Sequence, residues 1–227
     1  MNGTNTPGRR TRSVTAEAIA ERRKNILHYA SQVISRNGVE GCSFAELSDV
    51  SGFSIGMIQH YFRHRDPLIG AAVEYRIEES LAEWQRIYDR GNNALERLHD
   101  LLTFSIQGDT PFEEAWGFWL QIYAAAHKNT EIRESVAAVW GSWRELFVRA
   151  LEEAEEEGLL RPSIDINELA TLLVAFIDGL AIQALNGVHH LTPDQLVTTL
   201  HRFAAREFGI DADEFMRNKR SKLVNAP

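Results

Sequence analysis

The sequence predicts an all-α protein with a small N-terminal helix-turn-helix head and a larger helical body. Three observations carry that prediction. Apolar residues recur three or four positions apart through successive segments, capping residues and glycines bound those segments, and no run alternates apolar with polar residues between hairpin turns. At 227 residues and 44% hydrophobic content, the chain can bury a core of its own. The expected parts are a flexible basic arm over residues 1–14, the head over 15–66, the body over 67–210 and a polar tail over 211–227.

The first helix is expected from Thr15 to Asn37. Ile19, Ile26, Leu27, Ala30, Val33 and Ile34 form its apolar stripe, and Gly38 stands as its C-cap. The next stretch, SFAELSDVSGFSIGMIQHYF from Ser43 to Phe62, reads as two short helices around a tight turn. Ser43 and Glu46 have the spacing of a capping box, Phe44, Leu47 and Val50 share a face, and Gly52 ends the helix. Ser54 then caps a second helix. It carries Ile58 and Phe62 inward and leaves Ile55, Gly56, Met57, Gln59, His60 and Tyr61 near the other face. Asp66, a capping residue before Pro67, starts a long helix to about Tyr88 with Ile69, Val73, Ile77, Leu81 and Trp84 inward.

Three helices open the rest of the body, over 94–106, over 112–127, and from Asn129 or Thr130 to about Glu157. Asp165 with Glu168 then signals a helix unlike the others, because apolar residues occupy almost all its sides between Leu169 and Leu185. Such a helix must be covered all round, and a second subunit can supply one wall. Thr192, Pro193 and Gln195 open a further helix. Two such helices from each of two chains would make a four-helix interface, with Leu169, Leu173, Leu180, Leu196, Leu200 and Phe203 as the homodimer contacts.

Helix, glycine turn, helix is a DNA-reading unit when its second helix is free to enter a major groove. The net charge of -8 argues against such a partner until its distribution is read. Residues 1–65 hold nine basic and five acidic side chains, a net +4, and the remainder is net -12. A basic head on an acidic body suits a protein whose head alone meets phosphate. Arg9, Arg10 and Arg12 could lie in a minor groove or form a solvated tail. The single cysteine, Cys42, excludes an intramolecular disulfide, and the polar start is not a signal peptide. No stretch is read as a membrane span, so the expected compartment is the cytoplasm and no membrane partner is expected.

The segment from Ile26 to Leu68, with SFAELSDVSGFSIGMIQHYF and the closing RHRDPL, resembles the DNA-binding head of the TetR family of transcriptional regulators. Further on, WGFWLQIYAAAHKN and the FIDGL segment are similar to the branch with the choline-responsive regulators. The resemblance implies that Ser43 bonds a phosphate and that Ser54, Ile55, Gly56 and Met57 approach base edges and backbone. Gln59 stands where many members have tyrosine, so an amide contact, bidentate to adenine, could replace a packed ring. His60 and Tyr61 match backbone contacts, and Arg65 stands where a lysine usually grips phosphate. Ser48 departs from the common alanine.

Other chemistries find little support. His60 and His64 are four apart but lack further ligands, so no metal is expected. His189 and His190 read as a solvent-facing loop. There is no P-loop, dinucleotide fingerprint, zinc-protease motif or nucleophile elbow, so neither a cofactor nor an enzyme is expected. The body does suggest a small-molecule pocket, through Phe104, Trp116, Trp119, Tyr123, Trp140, Trp143, Phe147 and Phe176, although core packing explains most aromatic stripes. Asp178 is the only charge between Leu169 and Leu185. A buried carboxylate needs a partner, which could be an internal hydrogen bond, a residue across the dimer or a cationic ligand. The combined expectation is a homodimeric repressor that binds a pseudo-palindromic double-stranded operator and releases it when a small, cationic or amphiphilic effector enters the body. The alternative is a DNA-binding dimer whose body recruits a protein partner.

Overall fold

The computed structural model describes residues 15–188 and 190–217, all helices and connecting turns. The arginines of the arm, His189, and Lys219, Arg220 and Lys222 lie outside the described residues. In the head, α1 runs Ala16–Gly41, α2 Phe44–Ser51 and α3 Ile55–Tyr61. The body contains α4 Arg65–Arg90, α5 Ala94–Gln107, α6 Phe112–Ala126, α7 Thr130–Glu156, α8 Ile166–Leu185, α9 Pro193–Phe208 and α10 Ala212–Arg217.

The first helix breaks where glycine was expected to break it. Gly38 has φ 74° and ψ 172°, outside the helical region, and a last helical turn follows to Gly41. Between α2 and α3, Gly52 takes the left-handed φ of 72°, which a side chain would strain. Ser48 Oγ closes that turn by donating to the Phe53 carbonyl at 2.7 Å. This is a physical use for serine where a small alanine is common.

Three local expectations are corrected. Ser43 does cap α2, accepting from Glu46 N at 3.1 Å, but the Glu46 carboxylate accepts from Asn37 Nδ2 at 2.9 Å, so this is a cap without the reciprocal half of a box. The fourth helix begins at Arg65 with His64 as its N-cap, and Asp66 lies within the first turn. His60 and His64 therefore sit on different elements, which removes the helix-face geometry their spacing suggested. Third, residues after Gly209 are not all tail. Phe215 of α10 is fully buried, with its ring against His99, His201 and Phe208.

Two apolar clusters organise the chain. One is built by α4, α5 and α7–α10 with Phe112 and Trp116 of α6. The other joins the head to the body, combining Ile26, Ala30, Ile34, Leu47, Ile58 and Phe62 with Leu68, Phe118, Ile122, Ala126, Ile132 and Val136. Helix α1 lies along α6 so closely that a Cβ at Gly117 would stand 2.7 Å from Ser35 Oγ. The head is therefore seated on α4 and α6.

By length and composition alone, α8 could cross a membrane: 20 residues with a mean hydropathy of 1.7 in its most apolar window. That corrects the expectation that no segment would qualify. Its inner stripe of Leu169, Ala170, Leu173, Ile177 and Ala181 is nevertheless buried in the protein's own core.

Candidate nucleic-acid interface and ligand cleft

The second motif helix presents the face the sequence assigned to it. Ile58 is fully buried and anchors α3, while Ile55, Gly56, Met57, Gln59 and His60 are exposed and Tyr61 is half-buried. Ser54 is exposed and its Oγ accepts from Met57 N at 3.2 Å, so its hydroxyl both caps α3 and stands at its free end. Ser43 is likewise exposed at the start of α2. A helix N-terminus offers unpaired N–H groups to an anion, and here two of them share the head. Arg63, which the sequence reading did not single out, is exposed beside α3.

Arg65 differs from the expectation of a phosphate grip. Its Nε donates to the Cys42 carbonyl at 3.0 Å, and its Nη2 donates to the Val39 carbonyl and approaches Glu40 Oε2 at 3.5 Å. Nη1 lies 3.6 Å from Asp66. The guanidinium fork fits two carbonyls at the end of α1, and a lysine could not bridge both. Arg65 thus staples the start of α4 to the loop before α2.

In the body, six predicted aromatics converge. Phe104, Trp116, Trp119, Tyr123, Trp140 and Trp143 line one cleft, with Arg76, Ser80, Leu81, Trp84, Val139 and Asp109 among its other walls. The space amounts to about 660 Å³ including its open mouth. Trp84 meets Trp143 edge-on at 4.7 Å between ring centroids and Phe104 at 5.9 Å. On the other side Tyr123 lies 4.8 Å from Trp140 and 6.1 Å from Trp119. Ring faces arranged in this way attract a cation while excluding water.

Two predicted pocket aromatics are elsewhere. Phe147 is fully buried behind the wall, 6.1 Å from Trp84 and 6.2 Å from Trp143. Phe176 stacks on Phe203 of α9 at 4.1 Å, away from the cleft. The reading missed Arg76 and Trp84 as pocket residues. Both lie on α4, whose stripe gave a sufficient core explanation for Trp84 and none for a buried arginine.

Asp178 does not line the cleft but stands behind it. The Tyr123 hydroxyl donates to Asp178 Oδ1 at 3.4 Å. Burial pushes the Asp178 carboxyl up to about 7, against the opposing pull of hydrogen bonds from Trp140 and Tyr123. Burial also holds the Tyr123 hydroxyl well above its ordinary value, and the neighbouring carboxylate adds to this. The pair places a titratable negative charge behind two cleft rings.

The predicted dimer residues separate into two groups. Leu169, Leu173, Leu196 and Leu200 are fully buried within the protomer and cannot meet another chain, which corrects their assignment. The reason is that α8 is apolar all round, so sequence alone could not say which stripe faces inward. Leu180 and Phe203 are half-buried and remain available. Leu172, unassigned before, is 45% exposed, and with Phe176 and Leu180 it forms an outward stripe at i, i+4 spacing.

Residues 94–209 match the family of BetI-type transcriptional repressor C-terminal domains. Among characterised relatives, the regulator PksA of Bacillus subtilis is 26% identical over 166 residues, covering 73% of this chain and 79% of its own. BetI of Rhizobium meliloti is 25% identical over 164 residues, covering 71% and 77%. Of solved structures, a transcriptional regulator from Saccharomonospora viridis in complex with choline superposes with a TM-score of 0.74 at 25% identity, covering 81% of this chain and 95% of that one.

Proposed function

Because the chain belongs to the TetR family of transcriptional regulators, with a BetI-type C-terminal domain, we propose that this DNA-binding regulator is a homodimeric repressor controlled by a cationic or amphiphilic small molecule. The observation that carries the reading is the aromatic cleft with a carboxyl behind it, built partly on α4. One end of α4 holds the head through Arg65, and Arg76 and Trp84 further along it line the cleft. A ligand that draws rings together would bias the position of α4, and the head seated on it would follow.

In the DNA-bound state, α3 of each protomer would enter successive major grooves about 34 Å apart, with the outward stripe of α8 and Phe203 of α9 pairing across the two-fold axis. Gln59 and Met57 would meet base edges, and Ser43, Ser54, His60, Tyr61 and Arg63 the backbone. A cationic effector is supported by the choline complex of the related structure and by the ring faces and acid found here.

The test has two stages. Sequences are selected from random duplex DNA, and affinity for the selected site is then followed by fluorescence anisotropy with choline and longer trimethylammonium alcohols. The expected result is a palindromic site and at least about tenfold weaker binding with one of the compounds. Unchanged affinity across the series, with no small molecule retained in native mass spectrometry, would replace the effector reading with a body that recruits a protein.

A further inference from the structure

Arg76 carries its charge in a buried position. Among the described residues it is the one lysine or arginine with a buried side chain, 7% exposed, and it lines the cleft. Other arginines with partners on the protein are paired through hydrogen bonds. Arg65 has two carbonyls, Arg97 has Glu153 at 2.7 Å and the Tyr88 carbonyl, and Arg133 has the carbonyls of Ala126 and His127. For Arg76 no hydrogen bond or ion pair is formed among the described residues: the face of Phe118 lies 5.9 Å from the guanidinium carbon, and its charge also acts on the neighbouring Tyr75 hydroxyl. Asp109 lines the same cleft but is exposed and forms no ion pair with it.

A guanidinium does not escape burial by losing its proton, and a ring face satisfies none of its five N–H groups. The Arg76 nitrogens are not among the fully buried unpartnered atoms and so keep contact with the open cleft, where a charge set this deep with no carboxylate against it favours an anion. Trp143 lines the same cleft, and its indole N–H is fully buried without a hydrogen-bond partner. The cleft therefore combines a cation with no ion pair on its wall and rings backed by Asp178.

We infer that the effector carries an acidic group, a carboxylate or a phosphate ester, and that Arg76 receives it while the Tyr123 and Trp140 rings hold the cationic end. This rests on the cleft being the effector site. It narrows the ligand class to a zwitterion, and it places the anionic contact on α4, the helix that carries the head.

Isothermal titration calorimetry on the full chain tests it with two matched series of probes. One consists of trimethylammonio carboxylates with increasing numbers of methylenes, the other of trimethylammonio alcohols of the same lengths. At one length or more, the acid is expected to bind at least about tenfold tighter than its alcohol. Arg76→Gln should bring that ratio to about one. The methyl ester of the best acid checks the same contact on the unmutated protein, should Arg76→Gln fail to fold, and it should lose the whole gain. Alcohols that bind as tightly as acids at every length overturn the inference and leave the cleft as effector site. A preference for the acid that survives Arg76→Gln or esterification also overturns it. If no compound of either series binds, the effector reading itself falls.

Discussion

Asp178 makes the effector reading measurable through pH. Its carboxyl has an ordinary value of 3.8 and is pushed up to about 7 in the folded protein, first by burial. Between those values the native protein holds a proton that the unfolded chain has released. Stability from this group is therefore complete below 3.8 and is lost as pH rises through about 7, by about 4 kcal/mol at most. Binding of a cation runs the other way. A cation near the Tyr123–Asp178 pair favours the ionised carboxylate, so affinity should rise with pH. The carboxyl is about 3% ionised at about pH 5.5 and about 97% ionised at about pH 8.5, which limits the gain to about 30-fold. Calorimetric titration with choline at those two pH values measures it directly. Asp178→Asn should flatten the dependence, and by removing the cost of ionisation it should raise the melting temperature at the higher pH. An affinity that changes less than about twofold in the unmutated protein would show that Asp178 does not sense the ligand's charge.

Two further perturbations test the other faces. Arg65→Ala should cost about 2–4 kcal/mol in thermal or urea denaturation, since two carbonyls lose a charged donor. The slope of log affinity against log salt should stay unchanged, and a fall of about one unit would return Arg65 to the phosphate backbone. At the proposed interface, Leu172→Glu should give a folded monomer in analytical ultracentrifugation, whereas Leu173→Glu should unfold the protomer because that side chain is fully buried. A dimer unchanged by Leu172→Glu would place the interface elsewhere.

Most of the helices were legible because they are written twice, in apolar period and in capping residues. Ser54, Asp165 and Thr192 all cap the helices they were expected to cap, and Gly52 and Gly209 end theirs in the left-handed region. Six of the cleft aromatics were legible as well, since consecutive bundle helices bring their inward rings together. What could not be read depends on orientation. Arg65 carries the same charge whether it points at phosphate or at the Val39 and Cys42 carbonyls. In α8, whose apolar residues lie on every side, nothing in the pattern separated the buried stripe at Leu173 from the outward one at Leu172. Arg76 was hidden for the opposite reason, as one charge in a helix rich in charges. The short helix α10 was hidden by its polar composition, because one residue, Phe215, does most of its burying.

The seat of the head on α6 limits how this protein can be taken apart. Phe118, Ile122 and Ala126 of α6, with Ile132 and Val136 of α7, complete the core that Ile26, Ala30, Ile34 and Ile58 begin. A fragment ending after α3 would expose that apolar face to water, and so would a chimaera that joins this head to an unrelated body. The unit that would keep this core whole is α1–α4 together with α6 and the start of α7, so under the proposed function a change of DNA preference that leaves the cleft intact means editing the surface of α3 in place.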